Sequence, residues 1–165
     1  MNKKDNNIPE KIIGEMLLHK KITVSIAESC TGGLISSRLT DISGSSAYIK
    51  LNLVTYSNDA KIKTLGIQPE LIKNYGAVSE PVAKAMAEKV RLVAQTDIGL
   101  GVTGIAGPDG GTPEKPVGLV YIGISDGNQT KVYKVNINPA FSRLIIKHEA
   151  SEHALLFLKL FLQNI

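Results

Sequence analysis

The chain has one cysteine, no tryptophan and few aromatic side chains, only 5% of its 165 residues. A lone Cys30 excludes an intrachain disulfide framework and any multi-cysteine zinc or iron–sulfur cage, and a reducing compartment is its natural setting. No apolar run reaches the ~20 residues needed to span a bilayer. The leading residues, Met1–Asn7, are polar and lack the apolar segment of a secretory leader. A cytoplasmic location is the expectation. Lys and Arg outnumber Asp and Glu by 19 to 15, but they are scattered, so the net charge of +4 forms no basic block. With so few aromatics to stack on bases, nucleic acid is not an expected partner. No G-x-x-x-x-G-K-[ST] loop is present, which removes P-loop nucleotide hydrolysis. No Ser-His-Asp triad can be read from the sequence either.

What is present is ordinary globular material, 43% hydrophobic and 21% charged. The length suits a single domain over residues 1–165, large enough to bury roughly 70% of the unfolded chain's surface. Periodicity predicts helices over Pro9–Lys20, Gly32–Thr40, Asp59–Leu65, Pro69–Tyr75, Ser79–Gln95 and Ser142–Leu162. Ser79 precedes an early Pro and reads as a helix cap. Strands are predicted over Lys21–Glu28, Ala47–Ser57, Asp97–Val102, Val117–Ser125 and Gln129–Asn138, the last two joined by the hairpin signal Asp126-Gly127-Asn128. Alternation first and an antiparallel pair afterwards imply an α/β fold, a mixed sheet with helices on both faces. The end of the last helix is apolar nearly all round. It calls for burial against a partner subunit or a wedge inside the monomer.

Two patterns resemble known motifs and fail on geometry. Gly99-Leu100-Gly101-Val102-Thr103-Gly104 matches G-x-G-x-x-G, but its first glycines lie inside a strand and a Gly/Pro loop follows where a helix should start. His148-Glu149-Ala150-Ser151-Glu152-His153 sets its histidines five apart. At ~100° per residue they diverge by about 140°, so they cannot share a metal.

Three runs can carry chemistry. Ser29-Cys30-Thr31-Gly32-Gly33 follows a strand and opens a helix, so small side chains and free amides offer an anion site; equally, Ser29 or Thr31 simply caps the helix. Thr55-Tyr56-Ser57-Asn58-Asp59-Ala60-Lys61 sits at a strand end, where α/β sheets place ligands. Its lysine is either a surface charge or, with its pKa lowered by a neighbouring cation or by burial, a base for a serine. Val102 to Gly118 is a long Gly/Pro loop of the sort that is either functional or a plain connector.

Taken together and in order, AESCTGG (27–33), TDISGSSAY (40–48), VTYSNDAK (54–61), GAVSE (76–80) and VTGIAGPDGGTPEKPVG (102–118) resemble the C-terminal domain of the competence/damage-inducible protein CinA. Stand-alone relatives of that domain are nicotinamide-nucleotide amidases. The resemblance covers the chain from its first helix onward. It implies a three-layer α/β/α sandwich with a mixed, mostly parallel sheet, and hydrolysis of the carboxamide of nicotinamide mononucleotide to nicotinate mononucleotide and ammonia. It also implies pyridine-nucleotide recycling, a homo-oligomer, and no obligatory metal or other cofactor. Two-domain members carry an additional N-terminal domain, for which 165 residues leave no room, so the stand-alone type is expected. The family often has Gly-Asp-Arg with a second Arg four residues on. Here Phe141-Ser142-Arg143 and Lys147 stand in those places, so the guanidinium is kept and the local turn is altered.

The expected mechanism has Ser29 as nucleophile, Lys61 as its base and Tyr56 as a hydrogen-bonding assistant. Amides around Thr31, Gly32 and Gly33, or Thr103 and Gly104, would stabilise the oxyanion. Asn58 joins the substrate-binding set, and Arg143 and the helix start are candidates for the phosphate. Cys30 is the rival nucleophile, since a thiolate attacks better. The other function class is a nucleotide-binding or interaction module that has lost turnover.

Overall fold

The computed structural model describes residues 8–165. Met1–Asn7, read above as lacking a leader segment, lie outside them. The elements follow in the order α1 (Pro9–Lys20), β1 (Val24–Glu28), α2 (Leu34–Thr40), β2 (Ile49–Val54), α3 (Asn58–Leu65), α4 (Pro69–Tyr75), α5 (Glu80–Ala94), β3 (Ile98–Gly104), β4 (Leu119–Ser125), β5 (Thr130–Asn136) and α6 (Arg143–Gln163). Their order along the sheet is β2-β1-β3-β4-β5. β1 pairs parallel with both β2 and β3, whereas β3–β4 and β4–β5 are antiparallel. Only β4 runs against the rest. The sheet is mixed, as the alternation of elements predicts, and mostly parallel, as the resemblance implies.

Helices cover both faces. On one, α1, α2 and α6 bury Ile13, Leu17, Ile35, Leu39, Leu155 and Leu158 against Ile26, Leu100 and Val102. On the other, α3 to α5 bury Leu65, Ile72, Val82, Met86 and Val90 around Ala27. Here Gly99 and Gly101 explain themselves. A Cβ on Gly99 would lie 2.0 Å from the Ala87 carbonyl oxygen, and one on Gly101 2.5 Å from the Ala87 nitrogen. The backbone of α5 rests directly on β3, and only glycine leaves room for it. The false dinucleotide pattern is a packing seam.

Several predicted element ends move inward for local reasons, whereas β3 runs on to Gly104 and α6 to Gln163. Lys21 and Gln95 cap α1 and α5 at φ 56° and 53°. Gly32 and Gly33, at φ 65° and 93°, turn the chain before α2 begins, a conformation open to glycine at no steric cost. Ser79 is the N-cap residue of α5, but its side chain makes no cap bond: its hydroxyl donates to the Gly76 carbonyl at 2.8 Å. α6 buries Leu155, Leu158, Phe161 and Leu162 within the monomer and leaves Leu156 and Leu160 exposed. No helix among the described residues is long and apolar enough to cross a membrane.

Candidate active site

Register brings the three parallel strands to a common level, with Glu28 opposite both Val54 and Val102. The residues that follow, Ser29, Thr55 and Thr103, therefore emerge together at the carboxyl edge of the sheet. There a cleft of about 220 Å³ is lined by Ser29, Cys30, Tyr56, Asn58, Lys61, Ala77, Val78, Thr103, Gly104, Ala106 and Arg143. Larger clefts occur elsewhere, including one of about 520 Å³ beside Arg91 and Asp97, but they contain none of these groups.

Lys61 is the decisive side chain. Ser57 starts α3 by accepting a hydrogen bond from the amide of Ala60, and Lys61, one turn in, points back under the sheet edge. It is 1% exposed. Its Nζ donates to Ser29 Oγ at 3.0 Å and to the Thr55 carbonyl at 2.8 Å, with no carboxylate among the described residues within ion-pair reach. Burial pushes its pKa below the ordinary lysine value, and nearby Cys30 opposes that in part. A buried lysine without a counterion is poised to give up its proton.

The rival nucleophile fares differently. Burial, the largest influence, pushes the Cys30 thiol up to about 12, and Glu28 adds to the rise. It stays protonated at neutral pH and is a poor attacker.

Tyr56 is 60% exposed at the cleft mouth, and its hydroxyl accepts from Arg143 Nη2 at 2.6 Å. Arg143 Nη1 donates to the Gly107 carbonyl at 2.7 Å. Tyr56 thus partners the guanidinium, not the Ser29–Lys61 pair. Thr103 donates to the Ala77 carbonyl at 2.9 Å. Gly104 sits where a Cβ would approach Leu119 O at 2.8 Å and Cys30 Sγ at 3.0 Å.

The expectation for Thr31, Gly32 and Gly33 needs correction. The start of α2 is not an open anion site, because Glu28 fills it. The amides of Gly33, Ile35 and Ser36 donate to its carboxylate at 3.0, 3.2 and 2.8 Å. The hydroxyls of Thr31 and Ser36 do so at 2.6 Å each. The Gly32 amide closes a turn onto the Ser29 carbonyl. None of the three lines the cleft. Sequence reasoning missed Glu28, although a signal existed: an acid at the end of a buried strand, just before a helix start, is an anion placed at a helix N-terminus.

Known proteins match this chain in sequence and in fold. The model of the CinA C-terminal domain matches residues 6–162. The chain belongs to the CinA C-terminal domain family. A CinA-like protein of Syntrophus aciditrophicus is 46% identical over 158 residues, 96% of this chain and 37% of its own length. A CinA-like protein of Sulfurihydrogenibium is 53% identical over 130 residues, covering 79% and 32%. The chain spans about a third of the length of the curated relatives it matches. Among solved structures, a competence/damage inducible protein from Agrobacterium tumefaciens superposes with a TM-score of 0.87 at 37% identity, over 95% of this chain and 96% of that one. A second, from Enterobacter asburiae, gives 0.88 at 28% identity over 93% and 96%. These names attach the family to competence and damage induction and mention no reaction.

Proposed function

We propose that this CinA-family domain is a serine–lysine amidohydrolase that cleaves the carboxamide of nicotinamide mononucleotide, releasing ammonia and nicotinate mononucleotide for pyridine-nucleotide recycling. The observation that carries the reading is the 3.0 Å contact between Ser29 Oγ and a buried Lys61 that has no carboxylate partner among the described residues. Neutral Lys61 takes the Ser29 proton as Oγ attacks the carbonyl carbon, and returns it to the departing amine as ammonia leaves. Water, deprotonated by the same lysine, then hydrolyses the acyl-serine and frees the acid. The cationic pyridinium ring withdraws electrons from the carboxamide and lowers the barrier to attack. Backbone amides at the Ser29 turn, with that of Cys30 next in the chain, are the donors this reading assigns to the oxyanion.

Asn58, Thr103, Gly104 and Arg143 are the substrate-contacting set of this reading. Tyr56 serves it through Arg143, and Arg143 offers the positive charge for the phosphate. The reading takes residues 1–165 as one catalytic domain in a homo-oligomer of the cytoplasm, without a cofactor. Its test is release of ammonia from nicotinamide mononucleotide by the purified chain, abolished by Ser29→Ala. A Ser29→Ala protein that still releases ammonia rejects serine as the nucleophile; absence of ammonia rejects this substrate and, where Ser29 is also unreactive, favours a binding module.

A further inference from the structure

Glu28 is fully buried, yet it touches none of the cleft. Its backbone is locked in the sheet centre, paired on both sides and accepting the Thr55 amide at 2.9 Å. Its side chain reaches over the following turn to the start of α2. One oxygen accepts from Thr31 Oγ1 and the amides of Gly33 and Ile35, the other from the amide and hydroxyl of Ser36. A carboxylate has about four lone-pair sites, so these donors use them all and leave none for a substrate proton. Ser29 lies between the two ends of this brace, strand on one side and carboxylate-bound helix start on the other.

We infer that Glu28 is a positioning residue: its carboxylate straps the turn to the sheet and thereby holds Ser29 Oγ in line with Lys61. The inference rests on the reading of Ser29 as nucleophile. Glutamine has nearly the same shape, but its amide end is a donor and faces donors at whichever end of the strap it occupies. Glu28→Gln therefore loosens the turn without creating a cavity or altering a group that touches substrate.

The test compares wild type and Glu28→Gln in turnover of nicotinamide mononucleotide, in the rate at which a fluorophosphonate probe labels Ser29, and in amide exchange over residues 33–36. A displacement of the nucleophile by an ångström costs about 100-fold. The expected result is a kcat reduced on that scale with KM within roughly threefold, labelling slowed in parallel and exchange accelerated. Thr31→Val combined with Ser36→Ala removes both hydroxyl donors and gives a smaller loss in the same direction. This pair carries the test should Glu28→Gln fail to fold. Ser25→Ala, which removes a buried hydroxyl pair with Thr96 elsewhere on β1, lowers the melting temperature and spares kcat. Glu28→Gln with near-normal kcat overturns the inference, as does a loss confined to KM or an equal kcat loss in Ser25→Ala. A wild type that labels at Ser29 but releases no ammonia rejects the substrate alone, and the labelling rates still decide the role of Glu28. A wild type that does neither overturns both.

Discussion

Arg143 Nη2 donates to the hydroxyl of Tyr56 at 2.6 Å, tying the first turn of α6 to the loop after β2 across the mouth of the cleft. The same guanidinium also holds the Gly107 carbonyl, so one side chain joins three segments. Tyr56→Phe removes one of these ties and leaves the Ser29–Lys61 pair untouched. A hydrogen bond to a charged group contributes about 1.5–3 kcal/mol when shielded, and less at this exposed site. The expected outcome is a KM raised roughly three- to tenfold with kcat nearly kept. Arg143→Met, which releases all three segments, raises KM further. Steady-state kinetics on both variants checks this.

Lys61 predicts a pH dependence. The base must be neutral to act, and burial sets its pKa below the ordinary 10.5. Activity therefore rises with pH through the depressed value and levels off before 10.5. The same shift bears on stability. Between the folded and unfolded pKa values the unfolded chain binds more protons, so stability increases with pH across that window. Below it, the full cost of burying the ammonium is borne. Lys61→Met should abolish turnover and raise the melting temperature at neutral pH, because it removes that cost while filling the same space. A melting temperature below that of wild type contradicts this account.

Cys30 offers a direct comparison of nucleophiles. With its thiol pushed up to about 12, iodoacetamide should modify the native protein far more slowly than a free thiol of ordinary pKa, ~8.5. Cys30→Ala should keep most of the turnover. Rapid alkylation of native protein at neutral pH, coupled to loss of activity, would instead return the attack to sulfur.

Arg38 predicts a stability effect away from the cleft. It ties α2 to α1 through Glu10 and to α6 through Glu152 and Ser151, the latter two at 2.7 Å. Removing one partner of a buried pair costs about 3–5 kcal/mol, since the other charge is left uncompensated. Arg38→Met should fall near the lower figure because Glu152 is 40% exposed, and adding Glu10→Gln should recover part of the loss. Urea denaturation measures both.

Much of this was legible in the sequence because local signals agreed with the tertiary outcome. The strand ending at Glu28, the polar run from Thr55 to Lys61 after the next strand and the long loop after Val102 each put a reactive group at the sheet's carboxyl edge. Lys61 was harder, since a lysine four residues into a helix is usually solvated, and only the fold shows that this one points beneath β1. The partner of Tyr56 was not legible at all. Arg143 lies 87 residues away, and no local pattern encodes that meeting. Glu28 was hidden for a different reason. The motif read as an empty anion site because helix starts commonly await a ligand, whereas this chain supplies its own carboxylate.

The seam between α5 and β3 has a mechanical consequence. Where backbone meets backbone there are no rotamers to shuffle, so the contact has no slack in which to slide or swell. Helix and strand must move as one slab. Thr103 and Gly104 end the strand of that slab, and Ala77 and Val78 lead into its helix. Two walls of the cleft are therefore cast in one piece, and any breathing of the site falls to the Tyr56–Arg143 side.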